Sequence, residues 1–172
     1  GGCFWWTEAI FKRLKGASRV KSGYTGGFIK HPAYREVCQG TTGHAEGILI
    51  NYNSDEISYE SILEVFFLTH NPTTLNRQGY DVGTQYRSAI FYTSQSQKET
   101  AEQYISFLES SKVFSDPIVT TVAPLDVFYD AEENHHDYYD QNSQQSYCQF
   151  VISPKLKLLN QRFKEKLKSD ET

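Results

Sequence analysis

Cys3 stands directly after Gly1-Gly2 and immediately before an apolar run, FWWTEAIF, that reads as a helix. At a helix start the unsatisfied N–H groups and the positive end of the dipole point toward the sulfur, which favours the thiolate and lowers the thiol pKa. Phe4, Trp5 and Trp6 then supply an aromatic wall beside the sulfur, suited to an apolar methyl group. A second cluster, HPAYREVCQGTTGHAEG at 31–47, sets Tyr34, Cys38, His44 and Glu46 around glycines just before an apolar strand. Burial at that strand entry would raise the Glu46 carboxyl pKa and make it a usable acid near neutrality. A third cluster, GYDVGTQYRS at 79–88, offers Asp81, Tyr86 and Arg87. Cys148 follows an Asn/Ser/Gln-rich stretch, and a thiol on mobile polar chain can travel to another sulfur; Cys38 sits in a similar setting. Each residue also has a plainer reading: Cys3 as a small core residue, Glu46 as an exposed strand-entry carboxylate, Tyr86 as an edge-strand tyrosine, Cys38 and Cys148 as idle surface thiols.

The elements that must position these groups follow from periodicity and caps. A first helix is expected from Phe4 to Lys15 with Gly16 as its stop, and Gly23 to Phe28 reads as a strand end and loop. Residues 47–52 read as a buried strand. Ser58 is a natural N-cap, with Ile57 and Ile62 able to staple across it. Residues 70–85 form a long polar loop of the kind that carries function. Residues 86–93 read as a strand, so that Tyr86 opens it, and a helix follows to about Ser110. A strand at 118–123, a helix at 131–139 and a last helix starting at Ser153-Pro154 complete the order. The expected fold class is α+β: a two-layer sandwich of helices on a mixed β-sheet with a ferredoxin-like core. No linker or repeat interrupts the chain, so residues 1–172 are expected to form a single domain.

Composition narrows the function classes. Lys and Arg number 17 against 21 Asp and Glu, a net charge of −4, which disfavours nucleic-acid and membrane-surface partners because both need a basic field. No apolar run is long enough to span a bilayer. The chain opens without methionine and with no signal peptide ahead of Gly1, which reads as a trimmed start. Three widely spaced cysteines do not make a secreted disulfide framework, so reduced thiols and a cytoplasmic location are expected. His135-His136 in AEENHHDYYD invites a metal reading with His44, but neighbouring histidines on a helix point to different faces, so no metal is expected.

Together, GGCFW at 1–5, TGHAEG at 42–47 and DVGTQYRS at 81–88 resemble the A-type peptide methionine sulfoxide reductases. GYTGG, HPAYREVC and AEENHHDYY fit the same family in the same order, so the resemblance covers nearly the whole chain. It implies Cys3 as the nucleophile that becomes a sulfenic acid, and Phe4 and Trp5 as the pocket for the substrate S-methyl group. Glu46 would be the acid on the sulfoxide oxygen, Tyr34 and Tyr86 hydroxyl donors to that oxygen, and Asp81 a carboxylate acting through water. Cys148 would resolve the sulfenic acid, with Cys38 as the alternative. The implied substrate is the S epimer of methionine sulfoxide, protein-bound or free, with thioredoxin as reductant and no bound cofactor. A monomer is expected. Two positions depart from the pattern: Trp6 stands where a small residue is common, and His136 where Gln is usual.

Overall fold

The computed structural model describes residues 1–168. In chain order it contains α1 (Phe4–Phe11), β1 (Ala17–Thr25), α2 (Tyr34–Cys38), β2 (Ala45–Tyr52), α3 (Tyr59–Thr69), β3 (Arg77–Gln78), β4 (Asp81–Val82), β5 (Ala89–Tyr92), α4 (Gln95–Ser110), β6 (Thr121–Pro124), β7 (Phe128–Asp130), α5 (Tyr138–Asn142) and α6 (Ser153–Arg162). Short 3₁₀ turns at Thr84–Tyr86 and Glu133–His135 and a π-helical turn at Cys148–Ile152 join them.

The α+β reading holds, with both strand orientations present. They are divided: β2–β1–β7 pair antiparallel, while β5–β6 pair in parallel. α1 packs on β1 and β2 and is backed by α5 and α6, and α4 lies on β5 and β6. One core cluster centres on Phe4, Trp6, Ile10, Leu14, Ile152 and Leu159, the other on Leu63, Phe67, Ala101 and Leu108.

Local signals explain most boundaries. Ser58 Oγ accepts from the Ser61 amide, and Ile57 and Ile62 are both buried beside that cap. Ser94 caps α4 in the same way. Helix α1 stops earlier than expected, at Phe11, because the chain tightens into i→i−3 bonds from Arg13 to Ile10 and Leu14 to Phe11 before Gly16 turns it at φ +83. The strand expected from residue 86 begins at Ala89, and the one expected at 118–123 is Thr121–Pro124. Instead of one helix at 131–139, a 3₁₀ turn and α5 flank Asp137, which sits at φ +52. Strand β1 shows no clean alternation: Ser22 to Thr25 are all buried, with Ser22 bonded to a carboxylate of α1 and Thr25 donating to the Val127 carbonyl.

Candidate active site

The site is built where the start of α1 meets the start of β2. Cys3 is the N-cap of α1, in extended conformation, with its side chain 6% exposed. Gly2 before it takes φ +93, and a Cβ there would lie 2.8 Å from the Trp6 indole nitrogen, so only glycine brings the chain this close under the helix. Antiparallel register sets Glu46 opposite Tyr24 of β1. The Phe4 amide, one of the orphan donors of α1, donates to Glu46 Oε1 at 3.2 Å. Glu46 Oε2 is buried and has no hydrogen-bond partner among the described residues.

The electrostatics of this pair correct one expectation. The Cys3 thiol is held well above its ordinary value, chiefly by burial and then by the Glu46 charge; polar neighbours, the Trp5 amide first, only partly offset this. Dipole and amide effects at the helix start are therefore outweighed. Glu46 itself is pushed up to about 7, mainly by burial, with the Asp81 charge adding and the Phe4 amide opposing.

Phe4 is fully buried, and its ring lies 6.3 Å from that of Tyr34. Trp5 is clamped from several sides. Its indole Nε1 donates to His135 Nδ1 at 3.1 Å, its ring stacks on Tyr138 at 3.7 Å and 6°, and Tyr147 meets it edge-on. Trp6 does not join this wall: it is buried in the core, with Lys155 Nζ 4.2 Å above its ring.

The remaining expected residues divide. Tyr34 starts α2, whose first amide donates to Glu132; burial and then the neighbouring Cys38 thiol raise its hydroxyl pKa, which places the hydroxyl beside that thiol. Tyr86 lies in the 3₁₀ turn rather than on a strand; burial and the charges of Glu46, Cys3 and Asp81 all raise its hydroxyl pKa, which places it beside them. Asp81, at the tip of the β3–β4 hairpin, accepts from the Tyr147 hydroxyl at 2.8 Å. Cys148 is not on a mobile polar loop: it is fully buried at the head of the π turn, and burial raises its thiol pKa. Cys38 ends α2 and is exposed, and all three thiols are free. His44 is spent on Gly27 N–H and the Ile29 carbonyl, and His136 Nε2 on the Ala131 carbonyl. An apolar cavity of about 210 Å³ reaches the site only through Gly1 and Glu46 and does not touch Cys3 or Trp5, so it is not the substrate pocket.

Three residues of the site escaped the sequence reading. Tyr147 was visible only as the neighbour of Cys148, while His135 and Tyr138 lay in a motif that was weighed for metal binding and that otherwise only carried the family resemblance. Their role needs the α1–α5 packing, which no local pattern encodes.

Comparison with known proteins covers the same ground. Residues 1–167 match the family model described as peptide methionine sulfoxide reductase. The MsrA of Saccharolobus solfataricus is 52% identical over 99% of this chain and 96% of its own length. That of Deinococcus radiodurans is 51% identical, over 98% and 82%. Among solved structures, reduced Mxr1 of Saccharomyces cerevisiae superposes with TM-score 0.78 at 34% identity, covering 86% of this chain and 84% of that one. The Corynebacterium diphtheriae enzyme gives 0.74 at 31% identity, covering 84% and 73%. Mxr1 has also been solved in an oxidised form and in complex with Trx2. With sequence and fold in agreement along almost all of its length, the chain belongs to the peptide methionine sulfoxide reductases of the A type.

Proposed function

We infer that the protein reduces the S epimer of methionine sulfoxide, protein-bound and free, through a sulfenic acid on Cys3, a Cys3–Cys148 disulfide and recycling by thioredoxin. The observation that carries this reading is that Glu46, bonded to the Phe4 amide and with Oε2 unpartnered, lies near enough to the buried Cys3 thiol for its charge to act on it. A sulfoxide sulfur is a poor electrophile until its oxygen is protonated or strongly hydrogen-bonded. Moving one proton from the Cys3 thiol to Glu46 prepares both partners at once. It yields the attacking thiolate and the acid, and it removes the carboxylate charge that opposed ionisation of the thiol.

The thiolate attacks the substrate sulfur while Glu46 protonates the oxygen, with Tyr86 as a hydroxyl donor to it and Tyr34 turning from Cys38 to join. The S–S bond so formed then breaks as the hydroxyl passes from the substrate sulfur to Cys3 Sγ, so that methionine leaves reduced by two electrons and Cys3 is left as S–OH. Cys148 then displaces that oxygen as water, forming the disulfide. A thioredoxin dithiol restores both thiols by exchange and leaves oxidised. The clamped Trp5 ring and Phe4 fix the methyl group and so select one epimer. Asp81 and Tyr147 form a polar pair at the edge of the pocket. The rest of the reading is a single domain over 1–172, acting as a monomer in the cytoplasm without a bound cofactor.

The test is reduction of each epimer of a methionine sulfoxide peptide with dithiothreitol as reductant. The S epimer alone should yield methionine, and Cys3→Ser should yield none. Turnover of both epimers, or activity in Cys3→Ser, would contradict the reading.

A further inference from the structure

Glu8 is a carboxylate in the helix that carries the nucleophile, 3% exposed, and none of the chemistry above uses it. It lies three residues after Trp5, on the same face of α1. Its Oε2 accepts from Ser22 Oγ of β1 at 2.6 Å, and its Oε1 accepts from the Asp137 amide at 2.5 Å. His136 Nδ1 is 4.0 Å away. Asp137 occupies the left-handed region at φ +52, a conformation that a non-glycine residue holds only when its surroundings fix it. On one side of Asp137 stands His135, which accepts from the Trp5 indole; on the other stands Tyr138, which stacks on that indole.

We propose that Glu8 is a positioning residue for Trp5: by binding the Asp137 amide it locks the turn that places His135 and Tyr138 around the indole ring. The inference rests on the reading of Trp5 as the wall of the methyl pocket. Glu8 never meets the substrate. It ties the helix bearing Cys3 and Trp5 to the AEENHHDYYD segment, so that the ring and the groups that hold it share one frame. Lys12 and Arg13 of α1 also reach Asp137 and Asp140, but from the exposed side, so α5 keeps an attachment when Glu8 is replaced.

The variants are Glu8→Leu, which fills the volume without an acceptor, Glu8→Ala for use if Leu does not fold, and Glu8→Gln, whose amide oxygen can still accept from Asp137. Steady-state kinetics on the S-epimer peptide would be read beside the emission of Trp5 in a Trp6→Phe background. In Glu8→Leu or Glu8→Ala, KM should rise roughly tenfold with kcat little changed, the scale of a disturbed apolar pocket. The Trp5 emission should shift, and Glu8→Gln should restore both readouts. A folded Glu8→Leu or Glu8→Ala protein with the parent KM and emission would overturn the proposal, as would a fall in kcat at unchanged KM. Trp5→Ala separates the two levels: if it too leaves KM unchanged, the pocket reading fails, whereas a raised KM there with a silent Glu8 defeats only the present inference.

Discussion

The chemistry rests on two buried acids that cannot both be charged cheaply. Burial and the Glu46 charge hold the Cys3 thiol up, while burial brings Glu46 to about 7. Below that value both groups keep their protons and no thiolate is available. Above it the pair has lost one proton, and the thiolate–acid arrangement becomes accessible without a net change of charge. The single-turnover rate should therefore rise with pH through an apparent pKa near 7 and then level off. In Glu46→Gln that limb should vanish, and the plateau rate should fall by roughly 10²–10⁴-fold, the usual worth of a placed acid. A variant that kept the limb would show that another group titrates. Residue type and placement at element starts offered Cys3 and Glu46 only beside plainer readings; the combined motifs GGCFW, TGHAEG and DVGTQYRS, through the family resemblance, gave them roles. The direction of the Cys3 shift was not legible: it depends on how deeply the helix start is covered and on a carboxylate more than forty residues away.

At the scale of elements, caps and apolar stripes were readable while the segments facing one another across the site were not. Ser58 and the Ser153-Pro154 start declare themselves locally, and Leu156 and Leu159 bury the inner face of α6. The 131–139 stretch looked like one helix because its apolar spacing is compatible with one; Asp137 at φ +52, held by a tertiary hydrogen bond, breaks it. The QNSQQSYC run looked like a loop from its polarity, yet it holds the end of α5 and leads into the π turn that Cys148 and Ile152 anchor in the core. On the proposed cycle, buried Cys148 would leave this turn to meet the Cys3 sulfenic acid. In the reduced enzyme, brief alkylation under native conditions should label exposed Cys38 at least roughly tenfold faster than Cys148, with Cys148 becoming equivalent only on unfolding. Equal native rates, read by peptide mass spectrometry, would mean that the turn is already open.

For the whole molecule, the reactive pair costs stability. Glu46 titrates at about 7 when folded against 4.5 as its ordinary value, so the folded state holds its proton more tightly than the unfolded one. Stability is then greatest below the unfolded value and declines as pH rises through 7, by up to about 3 kcal/mol. Glu46→Gln should melt several degrees higher than the parent at pH 8 and gain little near pH 4, as measured by calorimetry. A variant no more stable at pH 8 would show that the carboxylate is better solvated than its burial implies. Cys3 and Cys148 also belong to one hydrophobic cluster, with Phe4, Ile152 and Leu159, so the proposed disulfide would form within the core rather than on a surface loop.

The central claim is that Cys3 takes the oxygen and Cys148 removes it. The most direct measurement is a single turnover with each sulfoxide epimer in the absence of external reductant, counting methionine formed and thiols lost in the parent and in Cys148→Ser. The account predicts one methionine from the S epimer only, two thiols lost in the parent, and one lost in Cys148→Ser, where the sulfenic acid stays trappable. Two thiols still lost in Cys148→Ser would hand the resolving role to Cys38, and no methionine with Cys3 still reduced would contradict the account altogether.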